Sequence, residues 1–432
     1  MSKPLAIVVG AGLAGVEAAM QLAKKGIKVT LYEMKPQKFS PAHSNEDFAE
    51  LVCSNSLKAE RLASAAGLLK EEMRRFGSVC LAAAEKSRVP AGGALAVDRK
   101  LFSKEVTRII SCEKNITVVR KEVLSIPDGD AVIIAAGPLM SDALTSDISS
   151  KFGSLLSFYD AAAPIVTADS IDYNESFFQS RYDRGGESDY VNCPMNKKQY
   201  EEFYDALINA ETAEIHAFDV YEGCMPIEVL ARRGKDSMRY GPLKPVGLKD
   251  PKTEHRPWAN LQLRKENSAG TLYNLVGFQT NLKFSEQKRV FSLIPALKNA
   301  EYARFGVMHR NTFINSPKIL NSDLSTKKWK NLYFAGQLTG VEGYMESASS
   351  GIIAGQNAAR KLLNQEPLAL PQITMTGALI CHILDTKTKD FQPMGAAFGL
   401  LPPLSEVIKE KALRYEALSN RSLKFFTEKM SN

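Results

Sequence analysis

Leu5–Val9 is a short run in which both faces are apolar, the pattern of a strand buried on two sides. Gly10–Gly15 interrupts it, and Val16–Lys25 resumes with apolar residues at helical spacing. Lys28–Tyr32 then reads as a second strand ending at Glu33, which makes a βαβ unit. Asp130–Ala136 is another buried-strand pattern, closed by Gly137-Pro138. Near the other end, Leu332–Ala335 reads as a strand closed by Gly336, and Ser350–Leu363 as a helix. The middle differs. Tyr190–Cys193, Glu214–Val220, Asn260–Arg264 and Thr271–Phe278 show the alternation of a half-buried sheet. This pattern predicts an α/β protein in which a Rossmann-like nucleotide-binding domain (residues 1–160 and 305–432) is interrupted by an inserted α+β domain (161–304). Leu404–Lys429 is helical in pattern and mixed in charge, which suggests a solvated surface helix.

Composition narrows the class. With 432 residues the chain is long enough for two or three domains and a core that needs no staples. Fifty-five basic against forty-eight acidic residues give +7, a balance that permits an anionic partner without demanding one. Six cysteines without a C-x-x-C pair are too few for a disulfide scaffold and lack zinc-ribbon spacing. No apolar run reaches the length of a membrane span, and no signal-peptide pattern opens the chain. A cytoplasmic protein is expected.

The sharpest local motif is Gly10-Ala11-Gly12-Leu13-Ala14-Gly15. Gly10 permits a tight turn, Gly12 lets backbone approach a pyrophosphate, and Gly15 lets helix pack on strand. The phosphates then meet amides at a helix N-terminus. Alone the motif is weak; between a strand and a helix, with Glu33 closing the next strand, it predicts a dinucleotide site. Glu33 is placed to bond a ribose hydroxyl. The fingerprint does not separate FAD from NAD, but a second glycine turn, Gly336-Gln337, is the kind by which flavoproteins reach the rest of their cofactor.

Two cysteines stand out. Cys53 precedes small polar residues, the composition of a turn or helix start, where a thiol would be acidified. Cys224 lies between Gly223 and Pro226, close to Arg232 and Arg233. Most free cysteines are merely small buried hydrophobes. Five histidines show no H-x-x-x-H pair, so metal catalysis has no support. Basic clusters at Arg232-Arg233-Gly234-Lys235, Lys283, Lys288-Arg289 and Lys327-Lys328, interleaved with aromatics such as Tyr240 and Phe284, suit a surface that tracks RNA phosphates or simply a solvated face.

Longer segments add a resemblance. GAGLAGVEAA (10–19), FAELVCSNSLKAE (48–60), RVPAGGALAVDR (88–99), EGCMPIEVLARRG (222–234), GTLYNLVGFQT (270–280) and FAGQLTGVEGYMESASSG (334–351) resemble the folate- and FAD-dependent tRNA uracil-5-methyltransferases, and the match runs through nearly the whole chain. Departures are small: Lys58 stands where the family has arginine, and Ala135-Ala136-Gly137-Pro138 where it reads ATGP. The resemblance implies a glutathione-reductase-like FAD domain, FAD reduced by NADH or NADPH, and 5,10-methylenetetrahydrofolate as carbon donor. It implies methylation at C5 of uridine-54 in the T-loop of tRNA. The family's two functional cysteines fall on Cys53 and Cys224. Cys224 is assigned as the thiolate that adds to C6 and Cys53 as the group handling the C5 proton; the reverse assignment stays open. Gly10, Ala11, Gly12, Leu13, Ala14, Gly15, Glu33, Gly336 and Gln337 are expected at FAD, and Arg232, Arg233 and Lys235 at RNA. Two other readings stand beside this one: the same chemistry on a uridine of 23S ribosomal RNA, and a flavin-binding RNA-binding protein without methyl transfer.

Overall fold

The computed structural model describes residues 4–183, 186, 189–213, 225–387 and 391–429. Two sheets dominate. The first is five-stranded and all parallel, in the order Leu332–Phe334, Ala131–Ile134, Leu5–Val9, Lys28–Glu33, Ile116–Arg120. Leu5–Val9 lies in its middle with the next strand in sequence on one side and a much later one on the other. The carboxyl ends of these strands therefore open at a switch point, where doubly wound sheets bind their ligands.

Leu13–Lys24 is the helix that follows the glycine loop, and it packs against the long helix Tyr344–Leu362. That contact is backbone to backbone: a Cβ on Gly351 would sit 2.1 Å from the Ala14 carbonyl oxygen. The long helix begins six residues before the Ser350 that the sequence pattern suggests, because Tyr344–Ser349 carries no apolar periodicity. Its first turns are nonetheless buried, at Met345, Glu346 and Ser347 among others.

The second sheet has six antiparallel strands, in the order Phe177–Phe178, Tyr190–Met195, Ala259–Lys265, Leu272–Leu275, Ile165–Thr167, Tyr302–Arg304. It builds its own apolar cluster with the helices Lys197–Ile208 and Phe284–Phe291, centred on Phe203, Phe278 and Phe291. The chain passes from the first sheet to the second along Leu156–Ala161 and comes back along Met308–Phe313, and these two strands pair with each other. Pro194 sits inside a strand, which the sequence reading ended at Cys193. The edge strand pairs only with Val191 and Asn192, so no ladder bond is missing at Pro194. The expected strand at Glu214–Val220 lies outside the described residues.

The C-terminal helix is shorter and more buried than its charge pattern suggests. It spans Lys411–Lys429. One face is covered, with Leu418, Ser419, Ser422 and Phe426 buried. Ser422 Oγ donates to the buried Glu72 carboxylate (2.6 Å), which also accepts the amides of Met375 and Thr376 at the start of another helix.

Candidate functional site

The strand ends of the parallel sheet open into a cavity of about 360 Å³. Gly10–Ala14, Glu33, Gly336 and Gln337 line one part of it, and Cys53, Lys58, Asp160 and Glu342 line another. The glycine loop is shaped for this place. Gly10 has φ +99°, and a Cβ there would lie 2.6 Å from the Ala135 carbonyl oxygen. A Cβ on Gly15 would lie 1.8 Å from the Gly10 oxygen, so helix and loop meet only without a side chain. Gly12 is different: a Cβ there would meet nothing within 4 Å, because it points into open space. That space is where a bulky phosphate can approach the chain.

Glu33 is buried and fixed. One carboxylate oxygen accepts the Ala11 amide at 2.9 Å and the other the Lys35 amide at 3.0 Å. The carboxylate is thus tied to the glycine loop, with cavity beside it. Ser350 Oγ accepts the Gly336 amide at 2.7 Å and holds the second glycine turn. Both the Leu13–Lys24 helix and the Tyr344–Leu362 helix begin at the cavity wall; the first amides of the Leu13–Lys24 helix have no side-chain cap, whereas the Tyr344–Leu362 helix carries the buried Glu346 carboxylate in its first turn. An uncapped helix N-terminus on the cavity favours an anion such as a pyrophosphate. Together with the void over Gly12, these groups fit a dinucleotide such as FAD.

Cys53 sits in a loop that is clamped from several directions. The Tyr344 hydroxyl accepts the amides of Cys53 (2.8 Å) and Ser54 (3.1 Å). Arg99 donates to the carbonyls of Leu51 and Cys53, and Arg304 to those of Val52 and Cys53, at 2.8–3.1 Å. Arg99 is ion-paired with buried Glu266. Arg264 holds the next two side chains, Ser54 Oγ at 3.0 Å and Asn55 Oδ1 at 2.9 Å. Arg264 and Arg304 come from the second sheet, so that sheet shapes the Cys53 loop.

The electrostatics correct one expectation. Cys53 does not start a helix, and its thiol is not acidified. Burial pushes it up to about 12, the Asp160 charge adds to this, and Arg99 and Arg304 oppose it. Glu342 is also pushed up, to about 8, by burial and by Asp160, although it accepts a short hydrogen bond from Gln337 Nε2. At neutral pH the cavity therefore holds a protonated thiol and a largely protonated carboxyl group. Lys58 pairs with buried Glu346 at 2.7 Å.

Curated relatives share more than half of the sequence. A methylenetetrahydrofolate–tRNA-(uracil-5-)-methyltransferase TrmFO from Acetivibrio thermocellus is 55% identical over 428 residues, 98% of each chain. One of the same name from Lactiplantibacillus plantarum is 55% identical over 426 residues, covering 98% of this chain and 96% of its own. The chain belongs to the TrmFO family of methylenetetrahydrofolate–tRNA-(uracil-5-)-methyltransferases. The broader family model described as glucose inhibited division protein A matches residues 6–366. In fold, the chain is similar to the crystal structure of Aquifex aeolicus GidA. The TM-score is 0.71 at 18% identity, over 99% of this chain and 76% of that one.

For the other residues singled out in the sequence the outcome is mixed. Cys224 lies outside the described residues. The described residues flanking it are pinned to one stretch: Ala213 N donates to the Asn281 carbonyl (2.9 Å) and Ile227 N to the Gln279 carbonyl (2.7 Å). Gln279 lines the cavity. Arg232, Arg233 and Lys235 are exposed, and none lines the cavity; Lys235 pairs with Glu201 at 3.0 Å. Sequence reasoning missed Arg99, Arg304, Asp160, Glu342 and Tyr344. Each stands in an unremarkable local pattern, and only the fold brings them to Cys53. Among the described residues no group of three or more His, Cys, Asp or Glu could hold a metal ion. No described helix is long and apolar enough to cross a membrane.

Proposed function

We propose that this protein methylates C5 of a uridine in tRNA, at position 54 of the T-loop. 5,10-Methylenetetrahydrofolate is the carbon donor, and FAD, reduced by NADH or NADPH, is the bound cofactor. The observation that carries this reading is one cavity that joins a dinucleotide cradle to a clamped cysteine, in a chain whose relatives bear the methyltransferase name.

In this reading Gly10, Ala11, Gly12, Leu13, Ala14 and Gly15 take the pyrophosphate on the first helix N-terminus. Glu33 accepts from ribose hydroxyls, and Gly336 and Gln337 hold the cofactor's other half. When bound, FAD supplies the reducing equivalents that turn a methylene carbon into a methyl group. The protein's own part is to activate uracil. C5 is a poor nucleophile, and a thiolate adding to C6 converts the ring to an enolate that is nucleophilic at C5. Cys224 is assigned that addition. After C5 has gained its carbon it must lose its proton, and loss of the proton with departure of the thiolate restores the ring. Cys53 is assigned to receive that proton. Burial keeps Cys53 protonated in the resting protein, so it can take the C5 proton only after its own proton has passed to solvent water. Arg99 and Arg304 are the nearby cations that favour the resulting thiolate. Residues 161–304 are read as the inserted unit that meets RNA, with Arg232, Arg233 and Lys235 on its surface.

The test is direct. Purified protein is incubated with an unmodified tRNA transcript, FAD, NADPH or NADH, and methylenetetrahydrofolate, and the digested nucleosides are analysed by mass spectrometry. 5-Methyluridine is expected from the wild type. None is expected from Cys53→Ala or Cys224→Ala, both of which should still purify yellow. A flavin-loaded wild type that makes no product, or full product from both variants, overturns the assignment.

A further inference from the structure

Outside the cavity, the most unusual feature is a ladder of three aromatic rings on the second sheet's flank. Phe305 is the middle ring. Phe284 stacks on it, with centroids 4.7 Å apart and planes 14° apart, and so does Tyr302, at 4.9 Å and 12°. Three rings in parallel register differ from the edge-on contacts common in cores. Only Tyr302 belongs to the fringe of the second apolar cluster, and Phe284 is 53% exposed. The ladder thus includes an aromatic ring that meets solvent.

Its surroundings are cationic and fixed. Phe284 and Lys288 are one turn apart on the Phe284–Phe291 helix and so share a face. The Lys288 ammonium lies 5.6 Å from the Phe305 centroid. Nearby Arg289 is tied to Glu286 and Lys283 to Glu211, whereas Lys288 lies against the ladder itself. Buried Gln287, on the inward-turned side of that helix, exchanges two 2.8 Å hydrogen bonds with the backbone of Gly306 and so locks the residue after Phe305. The ladder is also coupled to the reaction cavity. Arg304, one residue before Phe305, holds the Cys53 carbonyl at 2.9 Å. The Gln279–Lys283 stretch that leads into Phe284 anchors both described flanks of the segment carrying Cys224.

A flat, preorganised ring face with a cation beside it suits an unpaired nucleobase and its phosphate. Every base has a π-face to stack, and a lysine meets the backbone charge. Duplex RNA offers no such face, because its bases are already stacked and paired. We propose that Phe284, backed by Phe305 and Tyr302 and flanked by Lys288, is a stacking platform for an unpaired base of the RNA substrate. The platform holds the RNA while the target uridine occupies the cavity. This rests on the RNA-methylating function proposed above.

The experiment measures binding of an unmodified tRNA transcript to the FAD-loaded protein, together with KM and kcat for 5-methyluridine formation. Phe284→Ala should weaken tRNA binding about tenfold, the ordinary cost of one lost base stack. KM should rise and kcat at saturating RNA should hold, with flavin content and melting temperature unchanged. Phe284→Trp should restore binding and Phe284→Leu should not, since leucine supplies apolar area without a ring. Lys288→Ala should lower the slope of log affinity against log salt by about one. A blunt RNA duplex should bind wild type and Phe284→Ala alike. If the wild type methylates tRNA and Phe284→Ala binds it equally well, or if Phe284→Leu restores binding, the platform falls while the function stands. If the wild type neither binds nor methylates the RNA, both fall together.

Discussion

The glycine loop offers a substitution in which folding and cofactor binding part company. At Gly12 the backbone has φ −72° and ψ −174°, which alanine adopts freely. The added methyl would meet no protein atom within 4 Å. Gly12→Ala should therefore leave the flavin-free protein as stable as the wild type, or up to about 1 kcal/mol more so, through the lower entropy of its unfolded chain. The methyl nevertheless stands where the pyrophosphate must approach. An extra methyl in a filled space costs about 1–3 kcal/mol. That amounts to a five- to 150-fold weaker flavin Kd, at roughly 1.4 kcal/mol per tenfold. Gly15→Ala should behave in the opposite way. Its methyl would lie 1.8 Å from the Gly10 oxygen, a backbone atom that cannot rotate aside, so the flavin-free protein itself should be destabilised. The assay is flavin titration of the apoprotein, followed by tryptophan fluorescence, alongside its thermal melt. If Gly12→Ala bound flavin with wild-type affinity, or melted several degrees lower without flavin, the reading of this loop would be wrong.

Two pH-dependent predictions follow from the buried acids. Glu342 is raised from 4.5 to about 8 in the folded protein, so between these values the folded state binds more protons than the unfolded one. Its contribution to stability therefore falls as pH rises through that window. Glu342→Gln, which does not titrate, should match the wild type near pH 5 and exceed it near pH 9, with a ceiling of about 5 kcal/mol from 1.36 kcal/mol per unit. A wild-type to variant difference in urea midpoint that is the same at both pH values would count against this. Cys53, raised to about 12, should be alkylated by iodoacetamide at pH 8 about a hundredfold more slowly than a thiol of ordinary pKa, once the greater nucleophilicity of a more basic thiolate is allowed for. Peptide mapping with exposed Cys112 as the internal reference reads this out, and equal rates would show that the thiol is not held in its protonated form.

Local pattern was enough for the nucleotide-binding part. The strand Leu5–Val9, the loop Gly10–Gly15 and Glu33 lie close together in sequence, and although Ala131–Ala135 and Gly351 abut them from outside, the contacts that tie the loop to Glu33 form within that one βαβ unit. The Glu33 carboxylate accepting the Ala11 amide is such a contact. Segments whose structure depends on distant partners read less well. Tyr344–Ser349 has no helical periodicity, yet it forms the buried first turns of a helix because it faces the cavity and the glycine-loop helix. The C-terminal helix looks solvated by charge, but Ser422 reaches a glutamate 350 residues away.

The candidate site divides in the same way. Which residue types could do the chemistry was legible in the chain: a cysteine among small polar residues, another beside paired arginines, glycines where phosphate must approach. The protonation state of Cys53 was not. A small polar neighbourhood in sequence suggests an acidic thiol, whereas the fold buries that thiol and sets Asp160 and Glu342 near it. The arginines that clamp its loop come from residues 99, 264 and 304. A pKa depends on the whole field and the solvent around a group, and those are summed over space rather than along the chain. Sequence order thus determined the cofactor cradle and the reactive atoms on offer, while the meeting of the two sheets decided their environment.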